Sequence, residues 1–214
     1  MMTKRFLPRW VLATTTGETL GFAVPAATGT VMAMVAAPPG VVYVAMIIAG
    51  AVEGALLGLG QWWGFGPTRP VPGRAWVGAT AAGAALAWSI GMLPSTLGGL
   101  DPGSPRVIVA AALGGLVLLA SIPVLQWLVL RRVLRPSWWW IPVNMGAWSV
   151  GLLWTLAPSP LVDERTPTAV LFGVYLLAGA LMAATVAVLT GLAAGRITHT
   201  LTHDHAHSPA APIS

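Results

Sequence analysis

The chain has 214 residues, 56% hydrophobic and only 8% charged, with a mean hydropathy of +0.78. Soluble domains carry about 25% charged residues, so this composition excludes an ordinary soluble domain and, with repeated apolar runs of about 20 residues, indicates an all-α integral membrane protein. The net charge of +5 rests on 11 lysines and arginines and reflects their placement around a bilayer, not a nucleic-acid surface; the absence of cysteine excludes disulfides, thiol catalysis and Cys-ligated metals.

The N-terminus, with Lys4, Arg5 and Arg9, has the charge of a signal-peptide n-region, but Thr14–Thr16, Glu18 and Pro25 interrupt the apolar run behind it. The expectation is a retained first span over Trp10–Val35, kinked at Pro25. A Pro-Pro-Gly turn leads to a second span, Val41–Trp63, and a Gly/Pro loop carrying Arg69 and Arg74 to a third, Ala75–Leu93. A loop from Pro94 to Pro105 precedes the fourth span, Arg106–Leu130, which contains Pro123. A basic turn, Arg131–Arg135, leads to the fifth, Trp138–Ala157, and an acidic loop with Asp163 and Glu164 to the sixth, Thr168–Ala194. The expected organisation is a six-span membrane domain over 1–195 and a disordered cytoplasmic tail over 196–214 that holds all four histidines.

Six spans sort the loop charges. Lys4, Arg5, Arg9, Arg69, Arg74, Arg131, Arg132, Arg135 and Arg196 fall on one side; Arg106 and Arg165 fall on the other, with Asp101, Asp163 and Glu164. Positive loops stay inside, so both termini are predicted cytoplasmic, in a bacterial plasma (inner) membrane.

An internal repeat underlies the spans. Gln61-Trp62 is echoed by Gln126-Trp127 and, in the last span, by Thr190-Gly191; Gly50, Gly115 and Gly179 each lie eleven residues before these positions. In the odd-numbered spans Trp10, Trp76 and Trp139 each precede a glycine by seven residues: Gly17, Gly83 and Gly146. The chain therefore reads as three tandem helical hairpins, over about 10–63, 75–130 and 138–195, in parallel orientation.

The Gly-rich helix ending in Gln-Trp, the basic turn Arg131-Arg132 and the run Trp138-Trp139-Trp140 ahead of a Gly-Ala-Trp helix resemble a group of uncharacterised bacterial multi-pass membrane proteins. Their recurring pattern is similar to Gly-x-x-x-Gly-x-x-Gln-Trp-x-x-Leu-Arg, with Thr-Gly in place of Gln-Trp in the last repeat. The resemblance covers the chain up to the tail and implies this architecture; it implies no activity. The chain departs from the pattern in the first unit, where the basic turn is replaced by Gly64-Phe-Gly-Pro-Thr-Arg, and at Pro123.

Within the second span Gly50, Glu53, Gly54, Leu57, Gly58 and Gln61 share one helix face. The glycines Gly50, Gly54, Gly58, Gly115 and Gly179 are the expected helix-packing positions, where small residues let a neighbouring helix approach. Glu18 and Glu53 are the acids within spans. Glu18 lies about 12 Å and Glu53 about 13–14 Å from the same membrane face at ~1.5 Å per residue. Two carboxyls at one depth of a dry layer would not both ionise, and intramembrane acids are by default candidate functional groups. The bland alternative is polar glue between helices. At the repeat positions of Glu18 the spacing places Ala84 and Ala147, and at those of Glu53 Leu118 and Met182, so the acids belong to the first unit alone.

Gln61, Gln126 and Thr190 are expected near the cytoplasmic boundary with Trp62, Trp63 and Trp127, as interfacial anchors or a polar vestibule ring. Asn144 is expected to bond to a neighbouring helix. His199, His203, His205 and His207 offer weak tail ligands for a metal ion. No Ser/His/Asp set, phosphate loop or catalytic constellation occurs, so neither an enzyme nor a cofactor is expected. The partners expected are the lipid bilayer and a membrane-protein partner or a second copy. The leading functional expectation is a helix-packing scaffold or accessory subunit; the alternative is a proton- or cation-coupled small-solute carrier or channel using Glu18 and Glu53.

Overall fold

The computed structural model describes residues 3–162 and 166–206, and among these the chain is all-helical. The helices are α1 (Thr3–Met34), α2 (Pro39–Gly64), α3 (Gly73–Gly91), α4 (Leu93–Leu97), α5 (Pro105–Leu130), α6 (Trp140–Leu156) and α7 (Thr168–Ala206). Among the described residues, three stretches are long and apolar enough to cross a membrane: α2, α5, and residues Gly173–Ile197 of α7.

The long helices pack in a closed ring, α1 on α2, α2 on α3, α3 on α5, α5 on α6, α6 on α7 and α7 back on α1. Small residues set the spacing. A Cβ on Gly17 would come 2.6 Å from the Leu56 carbonyl, and one on Gly83 2.6 Å from the Ile122 Cα. The α1–α2 and α3–α5 backbones therefore touch at points where any side chain would separate them.

The ring is unevenly filled. At the end where α1 begins, Phe6, Trp10, Phe65, Val71, Trp76, Leu130, Leu134, Trp140 and Ile197 form one buried cluster. The Arg9 guanidinium closes this end by donating to the carbonyls of Gly64 and Phe65, at 3.1 and 3.2 Å. It thereby satisfies carbonyls left free at the end of α2. Toward the opposite end the packing thins, and along α5 residues 108–113 are all exposed, among them Ile108, Val109 and Leu113. Apolar surface of that extent is what a lipid or protein environment covers.

Several boundaries differ from the sequence expectations. Helix α1 begins seven residues earlier than the expected span and continues through Pro25. Part of the expected Pro94–Pro105 loop is helix α4; Pro94 cannot donate to the α3 ladder, but it suits the first turn of a new helix. The loop after α2 is not merely a connection, since its Phe65 and Val71 are core residues. The largest difference is α7, which continues to Ala206 where a disordered tail was expected from 196. Beyond Gly195 the next helix breaker is Pro209, and a helix already formed extends at little cost per residue. Ile197 of that continuation is fully buried. The acidic residues Asp163 and Glu164 and His207 lie outside the described residues, as do the side chains of His199, His203 and His205, so the expected tail ligands are not placed.

Candidate functional site

The α2 stripe forms one buried face: Gly50, Glu53, Gly54, Leu57, Gly58 and Gln61 all turn inward. Two of its glycines admit α3. A Cβ on Gly54 would lie 2.5 Å from the Ala84 Cβ, and one on Gly58 2.9 Å from the Thr80 Cβ. On the other flank, a Cβ on Gly21 of α1 would lie 2.9 Å from the Glu53 carbonyl oxygen. Held this closely between α1 and α3, Glu53 meets Glu18.

The two acids are together. Glu18 is 1% exposed and Glu53 8%, and their carboxyls lie within hydrogen-bonding reach of each other. Both line a partly open cavity of about 310 Å³ inside the ring. Glu53 Oε2 accepts a 2.6 Å hydrogen bond from the Trp88 indole N–H. Neither Glu18 oxygen, taken as an acceptor, finds a protein donor. A buried carboxyl without a donor is costly.

Trp88 escaped the sequence reading. It reaches Glu53 because Gly50 leaves room: a Cβ at Gly50 would overlap the Trp88 indole. The signal was available in principle, since an indole N–H deep in an apolar span needs an acceptor. Apart from Thr155, the rest of the cavity wall is apolar and aromatic, including Phe22, Leu57, Leu118, Trp148, Leu152 and Met182, and the described lining residues include no Lys, Arg or His.

Beneath the cavity lies a layer of buried polar groups. The Gln126 amide donates to Gln61 Oε1 at 2.7 Å and to Thr80 Oγ1 at 2.9 Å. Three fully buried tryptophans close the layer: Trp76 donates to Gln61 Oε1, Trp140 to Gln126 Oε1 and Trp10 to Thr190 Oγ1, at 3.1, 3.0 and 3.2 Å. Their rings continue into an aromatic plug through Phe65, with centroid separations of 4.8 Å to Trp10 and 5.6 Å to Trp76. The cavity is therefore sealed on this side.

This layer corrects three expectations. Gln61, Gln126 and Thr190 are fully buried structural groups and not interfacial anchors, because the aromatic plug adds a further layer beyond them. Asn144 donates to the Trp140 carbonyl of its own helix at 3.2 Å rather than to a neighbour, and its Oδ1 has no partner. The tryptophan that donates into this layer alongside Trp10 and Trp76 is Trp140, not Trp139, whose indole bonds to the nearby Pro136 carbonyl. Eight residues after Trp140, the spacing from Trp10 to Glu18, stands Trp148 and not Ala147, and Trp148 lines the same cavity.

Among the packing glycines, Gly179 abuts the Phe22 ring, with its Cβ position 3.1 Å away, whereas a Cβ at Gly115 meets nothing within 4 Å. The α5–α6 seam is the sparsest in the ring, and Gly115 does not pack as expected. Among the described residues no group of three or more His, Asp or Glu is gathered to hold a metal. No protein-family model matches the chain, and neither does a curated protein or a solved structure.

Proposed function

We propose that the protein is a six-span plasma-membrane protein that binds and moves a proton or small cation through the Glu18–Glu53 pair, as a carrier or channel. The carrying observation is the meeting of the two carboxyls on a cavity wall, with Glu18 lacking a protein donor. Polar glue alone would leave each acid satisfied by a neighbouring helix. A cavity also gives the pair something to exchange with. The seal of Trp10, Phe65, Trp76 and Trp140 divides the interior, as a carrier with one closed gate requires.

The six-span reading draws support from the closed ring of long helices. Its shorter members, α3 and α6, have 19 and 17 residues, lengths of about 28 and 26 Å at ~1.5 Å per residue, close to a hydrocarbon layer of about 30 Å. The three-hairpin repeat draws support from the matched donors Trp10, Trp76 and Trp140, each followed four residues later by a fully buried polar residue, Thr14, Thr80 and Asn144. Cytoplasmic termini follow from the basic loops. The resemblance to bacterial multi-pass proteins with Gln-Trp hairpins is of a piece with this architecture.

The test is ion flux in proteoliposomes with an internal pH- or cation-sensitive dye. Flux is expected with the full chain and is expected to vanish in the double substitution E18Q/E53Q, which keeps shape but cannot ionise. Equal flux in both, or none in either, overturns the reading. A scaffold or accessory-subunit reading is favoured by one other observation, the uncovered first half of α5, and predicts that assembly with a partner survives E18Q/E53Q.

A further inference from the structure

We propose that the cavity is a binding site for an organic ammonium ion, whose cationic head sits against Glu18 and Glu53 and whose apolar body lies against Trp88, Trp148 and Phe22. The proposal rests on the carrier reading above and names its substrate class.

The cavity wall selects among cations. Bare inorganic ions such as Ca²⁺ and Mg²⁺ demand about six to eight oxygens. Here the polar side-chain oxygens on the wall come from Glu18, Glu53 and Thr155, and the remaining surface is aliphatic or aromatic. Such a wall repels a hydrated ion and welcomes a cation that carries its own hydrocarbon. The volume of about 310 Å³ lies at the lower end of small-molecule pockets, about 300–1,000 Å³, and suits one alkyl- or arylammonium group.

The charge also fits. Two carboxyls on one wall offer the negative charge that a cationic head group neutralises. No lysine, arginine or histidine among the described lining residues competes for it. Glu53 is oriented by the Trp88 indole, whereas no indole, amide or hydroxyl donor holds Glu18. Aromatic faces add cation–π attraction, which strengthens out of water. Trp148 stands at the repeat position of Glu18, so the first hairpin contributes the charge and the third a ring at the same level.

Access follows from the weak point of the ring. Leu118 and Leu119 on α5 and Trp148 and Leu152 on α6 belong to the cavity wall, and this is the seam where Gly115 meets no neighbour. An amphipathic cation partitioned into lipid enters there, while the Trp10–Phe65–Trp76–Trp140 plug closes the other way.

The test is binding of benzyltrimethylammonium to the full chain in nanodiscs, followed by calorimetry, with tetramethylammonium and benzyl alcohol as probes that keep only the charge or only the ring. Benzyltrimethylammonium is expected to bind at least about tenfold tighter than either, since each lacks one of the two contributions. Single substitutions E18Q and E53Q each retain one ionisable carboxyl and are expected to bind within about threefold of the wild type, whereas E18Q/E53Q loses about tenfold or more. Trp148→Leu is expected to weaken binding about three- to thirtyfold, the range of a cation–π contact. No saturable binding, equal binding of benzyl alcohol, or binding unchanged in the double variant overturns the proposal. If Glu-dependent proton or sodium flux is measured in proteoliposomes of the same protein while benzyltrimethylammonium does not bind, the substrate class is wrong and the carrier reading stands. If neither occurs, both fall.

Discussion

Trp88 on α3 holds Glu53 on α2 by a 2.6 Å indole-to-carboxyl hydrogen bond, made through the space that Gly50 leaves empty. Helix packing and site chemistry are thus the same feature here. Gly50→Leu would drive a side chain into the indole and displace it from Glu53. A destabilisation of about 1–3 kcal/mol is expected, as for other overpacked interiors. Trp88→Phe keeps the ring but removes the donor and is expected to cost about 1–3 kcal/mol. Thermal unfolding in detergent measures both, and Gly50→Leu should add little once Trp88 is Ala, because the clash is gone.

The buried Trp–Gln layer predicts a contrast between neighbours. Trp140→Phe leaves Gln126 Oε1 without its indole donor in a fully buried place, which is expected to cost about 1–3 kcal/mol. Trp139 is half-buried against the aromatic cluster and the edge of Trp140, but its indole makes only an exposed local bond to the Pro136 carbonyl, so Trp139→Phe leaves no buried acceptor unpaired and is expected to cost less than Trp140→Phe, about 1 kcal/mol or below. Equal losses at the two positions would place Trp139 in the matched role after all.

How much of this was legible depends on the periodicity available. The stripe from Gly50 to Gln61 is readable because five small or polar residues, with Leu57 among them, recur at helical spacing on one apolar helix. The depth match of Glu18 and Glu53 follows from helix rise alone once the two helices are antiparallel neighbours. The run Trp138-Trp139-Trp140 presents three candidates for one position, and spacing to the nearest glycine picks the wrong one; only the partner, Gln126, decides. Phe65 and Val71 were hidden in a Gly/Pro segment that looks like solvent loop, yet they complete the plug. That plug is why Gln61 and Gln126 are interior groups and not membrane-surface ones. The continuation of α7 to Ala206 has no apolar pattern to announce it, and what marks it in the sequence is the lack of a breaker before Pro209.

Glycines in similar spans are predicted to differ sharply. At Gly17 a Cβ would meet the Leu56 carbonyl at 2.6 Å, a backbone atom that cannot move aside cheaply, so Gly17→Ala is expected to destabilise by about 1–3 kcal/mol. At Gly115 a Cβ meets open space, and Gly115→Ala is expected to be neutral or stabilising by up to about 1 kcal/mol, since alanine is the better helix former. A loss at Gly115 as large as at Gly17 would mean that α5 and α6 close against each other in the bilayer. Unfolding midpoints of the two variants, read in nanodiscs, separate these outcomes.

Because the chain has no cysteine, single engineered cysteines report topology and access without a background. With six spans and cytoplasmic termini, a cysteine at Arg74 lies on the inner side and one at Gly103 on the outer. A membrane-impermeant maleimide added to intact cells is expected to label Gly103→Cys and to label Arg74→Cys only after lysis. Within the bundle, Met92 and Leu152 line the cavity while Phe65 is fully buried in the plug. Small methanethiosulfonate reagents are therefore expected to modify Met92→Cys and Leu152→Cys from the outside far faster than Phe65→Cys. Benzyltrimethylammonium is expected to slow modification at Leu152→Cys, beside Trp148 in the same wall, and to leave Gly103→Cys unaffected. Rapid modification of Phe65→Cys from either side would mean that the aromatic plug opens at rest, and the single-gate arrangement would then fail.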